Sequence, residues 1–379
     1  MLNIRIKVER RLIIDRRLPA LISILSAVAG ILVGGLLLTV VGRSPIEAYA
    51  IVFETFTNPR SLMGAIELGI PIIFTSLALV LPFRMAFFNI GGEGQFYMGA
   101  IGAMIPIVLY WSGMDLPYGL YLPLMALLAA LFGGLWALVP AILKAKWRVN
   151  EILTSLMMNF IALQIIWYLV SPGGPWNEAN PAFRERYLAY LREQGVSVIP
   201  GFKGTPLVPE FARPPVIPGT MISSALILAV LASIVIYFIY SRTIIGYEVK
   251  VVGESEAASR YAGINYTKLV TMVMFTSGVL AGLGGFVNLS SDLLKLTPEI
   301  AAPGYGYAGI IAAWLARLNP IACIFVSIFF GALTQIGYTM QQYLRISHFV
   351  SVAFEGLIFL FLVLGDFFLN YRIKVVKGG

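Results

Sequence analysis

Apolar residues along this chain come in long continuous runs, and the breaks between runs collect charged residues, glycine and proline. The stretch from Ala225 to Tyr240 is a clear case, apolar almost throughout. A helix rises 1.5 Å per residue, so about 20 apolar residues cross about 30 Å of hydrocarbon with every backbone group satisfied internally. The pattern predicts spans over 18–41, 62–82, 88–112, 119–142, 151–170, 217–240, 268–289, 304–317, 319–341 and 349–370. The alternation over about ten residues that marks a membrane barrel does not occur. The predicted fold class is therefore an all-α integral membrane protein with about ten transmembrane helices. The eighth span is too short to cross. It reads as a discontinuous or half-crossing helix, tolerated at membrane depth only where protein covers its free backbone groups.

Two of these spans open alike. Asn89-Ile-Gly-Gly-Glu-Gly-Gln begins the third, and Pro303-Gly-Tyr-Gly-Tyr-Ala-Gly begins the eighth. In the predicted topology one starts inside and the other outside, which points to two inverted repeats, 62–170 and 268–370, with a binding site between them near mid-membrane. The remaining pieces of a single transmembrane domain, 1–379, are a first helix with an external segment (18–61), a proline-rich external loop (171–216), and a sixth helix with its cytoplasmic loop (217–267). The external loop carries an amphipathic stretch from Ala182 to Glu193. It reads as a cap with a short surface helix, or equally as a variable loop.

Composition sharpens this picture. With 59% hydrophobic and 12% charged residues, the chain falls well short of the charge of soluble domains, about 25%. The net charge of +8 is scattered at the ends of apolar runs, with no single basic face, so a nucleic-acid partner is not expected. Arg5, Lys7, Arg10, Arg11, Arg16 and Arg17 precede the first span, and Arg84, Lys144 to Arg148, Arg242 to Lys268 and Arg372 to Lys377 follow alternate ones. By the positive-inside rule both termini are cytoplasmic, in a multi-pass protein of the plasma (inner) membrane. The apolar run from Leu18 to Val41 is too long for a cleaved secretory signal. One cysteine, Cys323, and one histidine, His348, exclude a disulfide and a cysteine or histidine metal cluster, so neither metal nor cofactor is expected.

Gly304 to Gly309 matches G-x-G-x-x-G, but no βαβ unit surrounds it and no Asp or Glu occurs between Glu299 and Glu355. Glycine in apolar helices instead permits close approach, as Gly30/Gly34 and Gly278/Gly282 also would. No phosphate loop of the G-x-x-x-x-G-K-[ST] type occurs, so the chain is not itself an enzyme hydrolysing ATP by that device. Glu93 is the most conspicuous charge. A carboxylate at membrane depth costs about 2.5–3.5 kcal/mol on insertion scales and must face a partner or water. Glu93, Asn89 and Gln95 therefore line a translocation path or its inner gate, or else bond neighbouring helix ends for packing. Asn159 carries the same two readings. Tyr305 and Tyr307, at the opening of the eighth span, could stack on a base or a sugar face. The run Gly253 to Asn265 reads as a compact helix at the cytoplasmic face with Gly263 as C-cap, either a connector or a plug for a partner's groove.

Residues 89–103, the run Asn150-Glu-Ile-Leu-Thr-Ser-Leu-Met-Met-Asn-Phe-Ile-Ala, residues 253–265 and residues 304–320 together resemble the permeases of ABC importers for simple sugars and nucleosides. The similarity runs from about residue 62 to 370, within the branched-chain amino-acid and ribose-type permease superfamily, and is greatest to its nucleoside branch. The resemblance implies that Glu254, Ala257, Ala258, Arg260, Tyr261, Ala262 and Gly263 couple the chain to a separate ATPase subunit. It further implies a second permease chain, identical or different, and an extracytoplasmic substrate-binding lipoprotein, all working at the lipid membrane. The substrate implied is a nucleoside or simple sugar, with a branched-chain amino acid as the alternative. The rival from another class is a proton-coupled secondary transporter with Glu93 as carrier.

Overall fold

The computed structural model describes residues 4–10, 18–195 and 203–377. Arg11, Arg16 and Arg17 of the basic leader, and 196–202 of the proline-rich loop, lie outside the described residues. Two compact units divide the chain, Met63–Ala332 and the pair of segments Met1–Leu62 and Leu333–Gly379.

The smaller unit contains α1 (Leu18–Val40), α2 (Pro45–Thr57), the end of α13 (Pro320–Leu344) and α14 (His348–Asn370). Helices α1 and α14 pack at glycine: a Cβ on Gly30 would lie 2.8 Å from Ile358 Cα, and one on Gly34 would meet the Phe354 ring at 2.7 Å. Gly30 and Gly34 thus serve the close approach expected of them. Two features were not expected. Helix α2 occupies part of what reads as an external segment, started by Ser44 and Pro45, a favoured pair at a helix N-terminus. A two-stranded antiparallel ribbon joins β1 (Ile4–Arg10) to β2 (Tyr371–Lys377), with Ile4 opposite Lys377. It sets the two ends of the chain side by side.

The larger unit contains α3 (Pro59–Arg84), α4 (Gly92–Trp111), α5 (Tyr118–Trp147), α6 (Glu151–Val170), α7 (Pro181–Glu193), α8 (Ala225–Arg242), α9 (Ile244–Glu254), α10 (Glu256–Tyr261), α11 (Tyr266–Val287), α12 (Tyr305–Leu315) and the start of α13. Helix α11 continues into a π-helical turn, Asn288–Leu293. Among the described residues, eight helices are long and apolar enough to cross a membrane, and Ile24–Val40 is a shorter apolar one. The eighth predicted span is the 11-residue α12, as its length required. The all-α membrane class therefore holds for the body of the protein.

Burial separates centre from rim. In the apolar windows of α3 and α4, 83% and 78% of residues are buried, against 22% in α6 and in α8, whose outer faces are left for lipid. Helices α4, α5 and α11 meet at small residues. A Cβ on Gly99 would fall 2.2 Å from Gly282 Cα, and one on Gly278 would fall 2.2 Å from the Gly133 carbonyl. Backbones this close contribute packing that side chains of any size would forbid.

Some boundaries differ from expectation. The sixth span begins at Ala225 and not at 217, because Pro218 and Gly219, the latter at φ +79, close a turn that bridges Val216 to Ser223. The described part of the proline-rich segment packs on the helices of this unit. Asn180 caps α7 through the Ala182 N–H, and Phe183, Tyr187 and Leu191 bury the predicted amphipathic face. Trp111 at the end of α4 stacks edge-on with Tyr187 and Tyr190, and Lys295 pairs with buried Glu178 at 2.7 Å. Burial, with Glu178 beside it, raises the Tyr187 phenol well above its ordinary range, so it remains neutral.

Candidate functional site

Helix α3 ends at Arg84, and the chain turns back through Ala86 at φ +57. It re-enters the unit as a short non-helical segment, 85–91. Asn89 Oδ1 accepts the Gly91 N–H at 2.9 Å, a side-chain turn that starts α4 at Gly92. On the other side, Gly304 at φ +62 starts α12. The first turns of the two helices meet at Glu93. Its Oε2 accepts the N–H of Gly306 at 2.6 Å and of Tyr307 at 3.1 Å, and the side chain is 1% exposed. A helix N-terminus carries unpaired N–H groups and partial positive charge, so a carboxylate placed there satisfies both. Gly306 permits the contact, since a Cβ would sit 2.4 Å from the Glu93 nitrogen.

The other predicted path residues gather around this junction. Asn89 Nδ2 donates to Gln95 Oε1 at 3.2 Å and to Ser277 Oγ at 3.0 Å, while Gln95 Nε2 returns a bond to Asn89 Oδ1 at 3.1 Å. Asn159 Oδ1 accepts the Gly94 N–H at 2.8 Å, and its Nδ2 donates to the Ile90 carbonyl at 2.9 Å and the Tyr307 hydroxyl at 3.3 Å. Ser155 Oγ takes the Ile90 N–H at 3.1 Å. The Tyr305 carbonyl accepts from Thr75 Oγ1 at 2.9 Å, and its ring packs on Phe96. Ser155 and Asn159 of α6 thus supply bonds to the non-helical backbone at Ile90 and to the first turn of α4, while Thr75 of α3 and Ser277 of α11 bond the Tyr305 carbonyl and the Asn89 amide. Asn159 lies eight residues beyond Glu151, the start of α6, or about 12 Å at 1.5 Å per residue. The junction therefore sits deep in the unit.

All six predicted residues, Asn89, Glu93, Gln95, Asn159, Tyr305 and Tyr307, belong to this cluster. Five are buried, and Tyr307 alone of the six is substantially exposed, at 39%. The model of the family described as the permease component of the branched-chain amino acid transport system matches residues 61–364, which include the whole junction. The chain belongs to this family. This permease is 30% identical to the glucose ABC transporter permease protein of Haloferax volcanii, over 99% of this chain and 95% of the relative. It is 26% identical to the nucleoside ABC transporter permease protein NupB of Lactococcus lactis (83% and 82% covered) and 28% identical to the guanosine ABC transporter permease protein NupP of Bacillus subtilis (83% and 84% covered).

The second set of predicted residues in the permease is built differently. The run 253–265 is not one helix. It breaks at Ser255, whose hydroxyl accepts the Ala258 N–H at 3.2 Å and so caps α10 while α9 ends at Glu254. Glu254, Ala257, Ala258, Arg260, Tyr261, Ala262 and Gly263 are all exposed, Tyr261 at 96%, and Ser259 is the buried anchor. Gly263 takes φ +71 and ends α10, as expected of a C-cap.

Several residues of the junction escaped sequence reading. Thr75, Ser155 and Ser277 are hydroxyls within apolar spans. Their insertion cost is small, so they carry little signal beside Glu93. Glu355 within α14 and the pair Glu67 and Asp292 are further carboxylates in or beside spans, and the sequence reading gave them no role. Arg84 read only as a topology marker, although a base closing a span just before a half-crossing segment was the available signal.

Proposed function

We propose that this permease is the membrane-spanning subunit of an ATP-binding-cassette importer that carries a nucleoside or simple sugar inward across the plasma membrane. The observation that carries the reading is the meeting, at Glu93, of the start of α4 with the N-terminus of the short helix α12, inside a chain of a permease family. Discontinuous helices with their N-termini converging mid-membrane are how many transporters build a solute pathway. An inverted repeat, 62–170 against 268–370, is supported by each half supplying one of the converging helices, α4 and α12. Tyr307 contacts the solute, and Asn89, Glu93, Gln95, Asn159 and Tyr305 form the wall that fixes it. An exposed phenol beside an amide suits a neutral, hydroxyl-rich solute with a flat face. The glucose, nucleoside and guanosine permeases among the relatives favour the same class.

The ends of α3, α5 and α8 and the segment 244–268 carry bases, and the positive-inside bias favours a cytoplasmic position for them and for both chain ends. There the exposed face from Glu254 to Gly263 docks on an ATPase subunit, while a second permease chain and an extracytoplasmic binding lipoprotein complete the assembly. The test has two parts. In a Cys323→Ser background, a cysteine at Ser255 is labelled in sealed cells only after permeabilisation. Uptake of a labelled nucleoside is then challenged with excess guanosine and, separately, with excess glucose. Labelling from outside contradicts the orientation, and uptake that neither solute competes with contradicts the substrate class.

A further inference from the structure

Helix α12 is held at both ends by residues that flank the same re-entrant segment. Glu93 binds its N-terminus. At its C-terminus, Arg84 donates from Nε to the Leu318 carbonyl at 3.3 Å and from Nη2 to the Leu318 and Arg317 carbonyls at 3.2 Å each. Arg317 and Leu318 stand at φ +52 and +56, two successive left-handed non-glycine residues whose carbonyls the guanidinium gathers. The N–H groups of Leu318 and Arg317 donate to the Ala313 and Trp314 carbonyls at the end of α12, so Arg84 holds the turn that closes the helix. A cation just beyond the C-terminus and an anion at the first N–H groups both act on the helix dipole in the stabilising sense. Along its length α12 lies on α3, with Gly309 against Thr75 and Trp314 tilted on Phe83 at 5.6 Å.

Arg84 also faces the cytoplasmic segment. Its Nη1 bonds the Tyr240 hydroxyl, and its guanidinium lies 4.2 Å from the centre of that ring, on which Lys250 of α9 also sits at 4.4 Å. A Cβ on Gly253 would lie 2.1 Å from the Arg84 carbonyl, so α9 rests directly on this residue's backbone. One residue therefore touches α8, α9 and the far end of the half-crossing helix.

We propose that Arg84 is the positioning residue of transport, tying α9 to α12 so that displacement of the docking segment is delivered to the Glu93 junction. This rests on the reading of 254–263 as the ATPase-docking face. Free energy passes between distant sites through packed elements and bonded networks with more than one arrangement. A rigid short helix clamped at both ends is such an element. Lysine cannot replace the arginine, because one ammonium does not span three carbonyl contacts and a ring.

The test uses the complete transporter in proteoliposomes, with its ATPase and partner chains. Arg84→Gln and Arg84→Lys are expected to lower solute moved per ATP hydrolysed by about tenfold, with ATP hydrolysis nearly unchanged. Full solute per ATP in both variants overturns the proposal. A second measurement does not depend on either variant folding. With Cys323→Ser, spin labels at Tyr247→Cys on α9 and Arg317→Cys beyond α12 should keep one separation with and without ATP, while each moves relative to a label on α7. A 247–317 separation that changes with nucleotide overturns the tie. The docking reading is tested apart from this by Arg260→Glu. Intact ATPase stimulation in that variant removes the docking reading, and the 247–317 distance still decides whether the tie exists.

Discussion

The Glu93 junction and the segment 254–263 are built in opposite ways. The junction is dense in chemistry and closed: a carboxylate, three amides and several hydroxyls, nearly all buried, bond to neighbouring backbone and to one another. The segment is open, a six-residue helix in which two exposed alanines stand beside an exposed arginine and tyrosine, anchored by one buried serine. Polar side chains deep in a membrane protein are first a solution to interrupted backbone, since each unpaired N–H or C=O there costs several kcal/mol. Small exposed residues, by contrast, leave room for a partner.

Six substitutions sharpen that contrast, beginning with the largest effect. Gly306→Val drives a branched side chain into the Glu93 backbone, and overpacking of a closed junction should remove about 3 kcal/mol or more, lowering protein in the membrane. Its level in purified membranes and its thermal unfolding in detergent check this. Glu93→Ala leaves two buried N–H groups without an acceptor, a loss of about 1–3 kcal/mol. Glu93→Gln keeps an acceptor, so its melting temperature should lie between those of the alanine variant and the parent. Glu254→Lys and Arg260→Glu, both exposed, should each change stability by about 0.5 kcal/mol or less, yet abolish ATPase stimulation and uptake together. Tyr307→Phe loses one 3.3 Å bond to Asn159, a change of about 1 kcal/mol or less, so any large fall in its uptake reports on the solute. A junction that tolerates Gly306→Val, or a docking face whose charge reversals unfold the protein, would invert the comparison.

Much of this was legible in the sequence. The length of apolar runs fixes the number of spans, and the shortness of 304–317 already requires a half-crossing helix. The six residues of the junction were found because amides and a carboxylate are expensive in apolar spans, and because Tyr305 and Tyr307 open a span too short to cross. Their mutual bonding was not legible, because Asn159 and Tyr307 are 148 positions apart and no local pattern records the pairing. The break at Ser255 was missed because a six-residue helix leaves almost no periodicity to read. Helix α2 was missed because a short amphipathic helix next to longer spans resembles a loop with apolar residues. The β1–β2 ribbon pairs strands from opposite ends of the chain, and neither strand predicts its partner.

Import as proposed needs energy from an ATPase and a solute path through this chain. The decisive measurement is uptake of labelled guanosine or glucose into proteoliposomes holding the permease with its partner chains. Accumulation that requires ATP and persists in the presence of a protonophore is the result predicted. Accumulation that proceeds without ATP and collapses with the protonophore would contradict it, and would make Glu93 a proton carrier rather than a clamp on two helix ends.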